Sequence, residues 1–299
     1  MYSELFNFLP SERIKVNEPM KEHSSFKIGG PVDIMVLPES IEEIQRILHY
    51  CRKQDIPCFV FGLGSNLLVR DKGIRGLAIK VGNNLKNVSI CNDTIFAEAG
   101  VRLAELSQAA ADYSLSGLEF AEGIPGSLGG AVVMNAGAYG GEMKDVLKEV
   151  RAITPEGNLS SFKPEEMKLR YRGSIFQEEE LIVVSALMQL RKERAEDIRA
   201  RMQEFAKRRQ EKQPLEYPSA GSTFRRPSGF FVGPMIEEMG LKGFKVGGAE
   251  VSRKHAGFII NSGNATANEV LELIAIVKAK AKEHYGIELE TEIKVVGEE

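Results

Sequence analysis

Between Gly123 and Gly141, seven of nineteen residues are glycine, at 123, 126, 129, 130, 137, 140 and 141. A surface turn needs one or two glycines, not seven, so this stretch calls for a use of bare backbone. Glycine permits tight turns and lets backbone N–H groups come close to a ligand. Gly123-Ile124-Pro125-Gly126-Ser127-Leu128-Gly129-Gly130 can present several amides to one anion, as at a helix start. The small neighbours Ala131, Ala136 and Ala138, with Asn135 and Gly137 among them, leave room for a large flat ligand.

A second glycine loop, Gly62-Leu63-Gly64-Ser65-Asn66-Leu67, follows an expected strand. Leu67 stands where the third glycine of G-x-G-x-x-G belongs, and no G-x-x-x-x-G-K-[ST] occurs, so Rossmann and P-loop patterns are absent. Taken singly, this loop is as readily a plain turn. Two such loops about sixty residues apart suit a long dinucleotide held by two subdomains. Spacing alone leaves FAD and a nicotinamide nucleotide both open.

Three regions differ in texture, and 299 residues suffice for two or three domains. The first, residues 1–81, alternates strand and helix patterns. A strand is expected over 32–37, then a helix opened by a Ser40–Glu43 capping box with Ile41, Ile44, Ile47, Leu48 and Cys51 on its apolar face. A buried strand over 58–61 and another over 77–81 follow. The second region, 82–195, carries a helix with Leu103, Leu106, Ala110 and Tyr113 on one side, then the glycine stretch. A hairpin of 150–153 and 159–162 turns at 155–158, and 181–190 reads as a long strand. A charged helix over 191–212 leads into the third region, 196–299. There a strand is expected over 257–261. A helix opened by a Thr266–Glu269 capping box carries Val270, Leu271, Ile274 and Val277, and a strand covers 287–296. The sum is an α+β protein.

A formal net charge of −3 argues against a nucleic-acid binder. Three cysteines, Cys51, Cys58 and Cys91, form no C-x-x-C pair, so neither a disulfide framework nor a metal site is expected. Free, buried thiols in a reducing compartment are expected instead. The first ten residues lack the basic and apolar segments of a secretory signal. The longest apolar run, 181–190, is about half what a membrane helix needs. A cytoplasmic protein without membrane partners is the expectation; oligomeric state is not legible.

Several motifs occur together and in order. They are His23-Ser24-Ser25-Phe26-Lys27-Ile28-Gly29-Gly30-Pro31, the two glycine loops, Asn135-Ala136-Gly137-Ala138-Tyr139-Gly140, Tyr171-Arg172-Gly173-Ser174, Ser219-Ala220-Gly221-Ser222-Thr223-Phe224 and Leu289-Glu290-Thr291-Glu292-Ile293. This series closely resembles the UDP-N-acetylenolpyruvoylglucosamine reductase family, which has the vanillyl-alcohol-oxidase type of FAD-binding fold. The resemblance spans nearly the whole chain. It departs at Ser24, where threonine is more usual. It departs again between Arg172 and Ser222, where the tyrosine-bearing insertion of some members is missing, as in the shorter subtype.

The resemblance implies that 1–81 and 82–195 are two lobes holding FAD non-covalently, and that 196–299 binds the enolpyruvyl UDP-sugar. NADPH would be the cosubstrate, and the product would serve peptidoglycan synthesis. Reduction of the vinyl group builds negative charge on the inner carbon and its carboxylate, then requires a proton there. By resemblance Arg172 meets the charge; spacing alone would pair it with the acids at 178–180. A guanidinium binds a carboxylate bidentately and stays charged. Ser222 is marked as proton donor, although a lone loop serine more often bonds its own backbone. Glu292 assists, its choice over Glu290 resting on the motif, since both share one strand face. Tyr171, Lys212 and Arg225 are the substrate-contact candidates. Lys207, Arg208 and Arg209 read as cations complementing a helix C-terminus. Two alternatives are an alcohol or sugar-lactone oxidase of the same fold and a nucleotide-binding module without turnover. The four histidines, at 23, 49, 255 and 284, lie outside both glycine loops, which removes the obvious flavin tether of some such oxidases.

Overall fold

The computed structural model describes residues 2–82 and 84–299. Met1 of the N-terminal stretch and Asn83 of the second region lie outside the described residues. Packing divides the chain into two compact units. One comprises the chain up to Val16 with Ile34–Leu63 and Gly76–Arg209; the other comprises Asn17–Asp33, Gly64–Arg75 and Gln210–Glu299. Each unit thus draws on more than one of the consecutive regions read from the sequence.

In the first unit, a five-stranded antiparallel sheet runs in the order Leu159–Phe162, Leu147–Ile153, Ile182–Gln189, Thr94–Glu98, Val88–Cys91. Ile182–Gln189 is its central strand and is buried along most of its length, which explains an apolar run without alternation. The expected hairpin forms, with Ile153 opposite Leu159 and Val150 opposite Phe162. The short helix Leu128–Val133 packs onto the central strand. Gly129 makes that approach feasible, because a Cβ there would lie 2.9 Å from the Ala99 Cβ.

A four-stranded sheet orders Ile14–Pro19, Pro31–Val36, Ile74–Lys80 and Cys58–Phe61, the last two parallel. The helix Ile41–Lys53 buries Ile44, Ile47, Tyr50 and Cys51, as its spacing dictates. Ser40 caps it, accepting the Glu43 N–H at 3.1 Å. The reciprocal half of the expected box is missing. Glu43 instead binds both terminal nitrogens of Arg13, at 2.7 and 2.8 Å, and accepts the Glu39 N–H. A two-pronged guanidinium outcompetes a single amide for a carboxylate. The strand Cys58–Phe61, expected to be buried, has only Phe61 buried, because it is the edge of its sheet. Of the thiols only Cys51 is buried, since Cys58 and Cys91 sit on edge strands. The helix Leu103–Asp112 ends before Tyr113, which is exposed. The charged helix begins at Ala195, because Arg191–Lys192 pairs with Leu115–Ser116.

The second unit carries an antiparallel sheet in the order Ser219–Ser222, Phe258–Asn261, Ala249–Val251, Lys245–Val246. Its core gathers Met235, Ile259, Val270, Leu273, Val277 and Leu289. The helix Ala267–Tyr285 shows the full capping box: Thr266 Oγ1 accepts the Glu269 N–H at 3.2 Å, and Glu269 accepts the Thr266 N–H at 2.9 Å. Asp71 adds two more acceptors, for the N–H groups of Ala267 and Asn268 at 2.8 and 3.0 Å. The strand expected over 287–296 is regular only at Lys294–Val296, parallel to Leu67–Val69. Residues 290–292 pair instead with an irregular segment, through an isolated Phe224–Thr291 bridge. The overall class is mixed α+β, as the sequence indicated. Among the described residues no helix is long and apolar enough to cross a membrane, and no cluster of metal-ligating side chains occurs.

Candidate functional site

In the second unit, distant motifs converge on one patch of backbone. Ser219–Ser222 pairs with Phe258–Asn261, but the register slips between Ser219 and Ser222. Gly221 sits in the slip with φ of 80°, and a Cβ there would meet nothing within 4 Å. A bulge of this kind bends the strand and redirects the next side chain, here that of Ser222. Thr223 is buried and locks the bend: its N–H donates to the Gly257 carbonyl at 2.9 Å, and its Oγ1 accepts the Ile259 N–H at 3.0 Å. The Glu292 N–H donates to the Thr223 carbonyl at 2.8 Å, so Ser222 and Glu292 leave neighbouring backbone segments. Asn66 of the first glycine loop joins them. Its Nδ2 donates to the Glu292 carbonyl at 3.1 Å, and its carbonyl accepts the Lys294 N–H at 2.9 Å. Ser25 completes the patch, with its Oγ donating to the Ser219 carbonyl at 2.6 Å and its N–H to the Gly64 carbonyl at 3.1 Å.

Glu290 and Glu292 therefore part company. Glu290 lies exposed with one oxygen 3.5 Å from Arg225, whereas Glu292 is half-buried. Arg225 is half-buried, and its N–H donates to the Glu290 carbonyl at 2.9 Å. Lys212, at the end of its helix, is exposed.

In the first unit, Tyr171 is exposed and Arg172 half-buried, its guanidinium 5.1 Å above the Tyr171 ring. Arg172 has φ of 53°, a left-handed turn that is unusual for a long side chain. Three contacts hold the turn. Arg170 and Gly173 exchange backbone hydrogen bonds. Ser174 Oγ donates to the Val133 carbonyl at 2.7 Å. Asn135 Nδ2 donates to the Arg170 carbonyl at 3.2 Å. Glu178, one of the acids that spacing alone would give to Arg172, is bonded to Arg170. The side-chain amide of Asn135 is buried and faces protein. It also donates to Glu142 at 2.7 Å, and its Oδ1 accepts the Lys144 N–H at 2.9 Å. Its side chain fastens the Arg172 turn to the glycine stretch.

Of the remaining loop residues, Gly64, Leu67, Ser127 and Gly129 are buried. Gly62 faces Ser127, whose Oγ would be 2.5 Å from an added Cβ. Gly123, Pro125 and Gly130 are exposed, Ile124, Gly126, Ala136 and Gly137 are half-buried, and Leu63, Ser65 and Asn66 are half-buried. A Cβ on Gly130 would touch only Ser127 Oγ, at 4.0 Å, and one on Gly140 nothing. Gly130 and Gly140 thus leave space beside the backbone, whereas Gly123, Gly129, Gly137 and Gly141 are closely packed. A buried, unpaired polar group faces the same stretch: Nε and Nη2 of Arg209 have no hydrogen-bond partner among the described residues. Open glycine backbone with a cation beside it fits a flavin dinucleotide. The sequence reading missed Arg209 by grouping it with the macrodipole cations. No spacing signal separates it from Lys207 and Arg208; burial does.

Comparisons with known proteins show which family the chain resembles. Residues 213–296 match the family model described as UDP-N-acetylenolpyruvoylglucosamine reductase, C-terminal domain, and residues 32–163 match an FAD binding domain. The chain is 95% identical to the UDP-N-acetylenolpyruvoylglucosamine reductase of Syntrophomonas wolfei subsp. wolfei over 299 residues, all of both chains. It is 50% identical to that of Caldanaerobacter subterraneus subsp. tengcongensis, over all of this chain and 98% of the relative. The crystal structure of the reductase from Thermus caldophilus superposes with a TM-score of 0.81 at 36% identity, covering 94% of this chain and 97% of that one.

Proposed function

The chain belongs to the UDP-N-acetylenolpyruvoylglucosamine reductase family, and from that premise we propose which residues perform its chemistry. The protein is a flavoprotein reductase of peptidoglycan precursor synthesis, using FAD and NADPH. This sets aside the oxidase and the module without turnover. Its substrate is the enolpyruvyl UDP-sugar, its product UDP-N-acetylmuramate, and its workplace the cytoplasm, where the cell-wall precursor and NADPH are made. Residues 1–81 and 82–195 serve as lobes for FAD, and 196–299 serve the UDP-sugar.

Bound FAD supplies the hydride that saturates the enolpyruvyl double bond at its outer carbon. The backbones of Gly62, Leu63, Gly64, Ser65, Asn66 and Leu67, and of Gly123, Ile124, Pro125, Gly126, Ser127, Gly129 and Gly130, with Ala136 and Gly137, hold the cofactor. Asn135 positions the turn beside them. Arg172 binds the substrate carboxylate and stabilises the charge that builds there and on the inner carbon. Tyr171 lies under the same guanidinium and forms a wall for the enolpyruvyl group. Ser222 Oγ holds a proton and delivers it to the inner carbon. Glu292 orients that exchange and keeps the serine poised. Lys212 takes the substrate diphosphate, and Arg225 assists.

One observation carries the assignment of proton transfer. The bulge at Gly221 and the Glu292–Thr223 hydrogen bond bring Ser222 and Glu292 together from distant motifs. Ser222→Ala should leave reduction of the flavin by NADPH unchanged in stopped flow. It should slow reoxidation by the enolpyruvyl sugar about 100- to 10,000-fold, or roughly 3–5 kcal/mol of barrier. Equal loss in both half-reactions would sink the proton-donor role.

A further inference from the structure

Arg209 lies near the C-terminal end of the helix Ala195–Lys212, yet it is only 6% exposed. Its guanidinium sits 5.6 Å from the Tyr139 ring, and that ring stacks on Phe205, one helical turn before Arg209, at 4.7 Å. On another side lies the glycine stretch: a Cβ on Gly123 would come 3.1 Å from Nε and 3.2 Å from Cδ. Nε and Nη2 are buried without a hydrogen-bond partner among the described residues. Glu122 is the nearby carboxylate that acts on the group, and one of its oxygens accepts from Gln108 at 3.2 Å. Burial pushes the Arg209 guanidinium below its ordinary range, and Tyr139 and Glu122 offset that push only in part. An unpaired buried cation destabilises a fold, and an apolar side chain of the same size would pack there without that penalty.

The unpaired edge is chemically specific. Nε and Nη2 form the side-on fork of arginine, which matches two oxygens of one phosphate or carboxylate. Aromatic packing holds the fork in one orientation, so little motion is lost when it binds. Gly123 exposes backbone beside it. We propose that Arg209 is the buried phosphate-binding cation of this protein, its Nε/Nη2 edge taking an oxyanion of a nucleotide diphosphate laid along the Gly123 turn. The inference rests on the cofactor reading given above and deepens it. Of the three diphosphates that reach the protein, those of FAD, NADPH and the UDP-sugar, that of FAD fits best, because the glycine stretch lies in the segment matched by the FAD binding domain.

The test uses the full chain stripped of flavin and titrated with FAD or riboflavin, alongside the holoenzyme titrated with UDP. Arg209→Met is expected to fold with an unchanged or higher melting temperature in the absence of nucleotide. It should weaken FAD about 10- to 100-fold and leave riboflavin, which lacks phosphate, unchanged. Weaker UDP binding to the holoenzyme with FAD unchanged would support the phosphate site and assign it to the substrate. Unchanged affinity for both nucleotides would overturn the proposal, as would an equal loss of riboflavin and FAD, which places the cation at the ring instead. If Arg209→Met does not fold, Arg209→Lys keeps the charge, loses the fork and takes the same measurements. Wild-type protein that binds neither FAD nor UDP would refute the broader functional reading instead.

Discussion

Ser222 shows how much one backbone irregularity decides. Its hydroxyl is an ordinary loop donor until the bulge at Gly221 turns it, and that bulge depends on a left-handed φ of 80°. A methyl group at Gly221 has space around it, so Gly221→Ala isolates the backbone effect from crowding. It should cost about 1–2 kcal/mol in urea unfolding and slow substrate reduction more than flavin reduction. An equal change in both rates would mean that the bulge does not aim Ser222. Asp71 belongs to none of the motifs read from the sequence. It accepts two N–H groups at the start of the helix Ala267–Tyr285, where backbone donors and helix dipole both favour a carboxylate. Asp71→Ala should lower stability by about 1–2 kcal/mol, and equilibrium denaturation with an unchanged m-value checks it. Arg209 and Asp71 were illegible for one reason. Each meets segments far away in the chain, and residue type does not reveal whom a side chain will meet.

At the scale of elements, local signals read well where the partner is also local. The Thr266–Glu269 box formed as expected because both of its halves lie within one turn. Thr266→Ala should therefore cost about 1 kcal/mol by thermal unfolding, and a change within error would show that Asp71 carries the cap alone. The Ser40–Glu43 box formed by half, because Arg13, remote in sequence, captured the carboxylate. The strand expected over 287–296 kept its alternation but lost regular pairing over 290–292, where it meets the segment leaving Ser222. That departure is the element-scale trace of the candidate site. An undistorted ladder would place Glu290 and Glu292 on one face; in the structure one is exposed beside Arg225 and the other half-buried.

Across the whole molecule, acid sensitivity follows from the half-buried His255 and the buried Glu119. His255 is held below its ordinary range first by burial, with Lys242 acting in the same direction, and its Nδ1 accepts the Gly257 N–H. For Glu119 burial pushes upward, but the Arg201 guanidinium and the Gly117 N–H outweigh it and the carboxyl is lowered. Both groups bind protons more readily in the unfolded chain, so both contributions are full at neutral pH and fade on acidification. The histidine's share fades as pH falls from about 6.5 toward its lower folded value, and the carboxylate's below about 4.3. Urea unfolding from pH 7 to pH 5 should show a decline that His255→Asn flattens; parallel profiles for the two proteins would remove His255 as the cause. FAD should raise the melting temperature, by an amount equivalent to about 2.7 kcal/mol at a hundredfold excess over its dissociation constant.

The amino-acid sequence by itself determined the glycine stretch, the periodicity of the major helices and strands, and the motif series that marks the family. These are properties of nearest neighbours and of residue order, and they need no third dimension. Only the tertiary structure decided which carboxylate of 290 and 292 is partly enclosed, how the backbone turns at Ser222, and that Arg209 is buried with two nitrogens unpaired. Those outcomes depend on contacts between segments far apart in the chain, where burial and pairing compete, and no local pattern encodes which contact prevails.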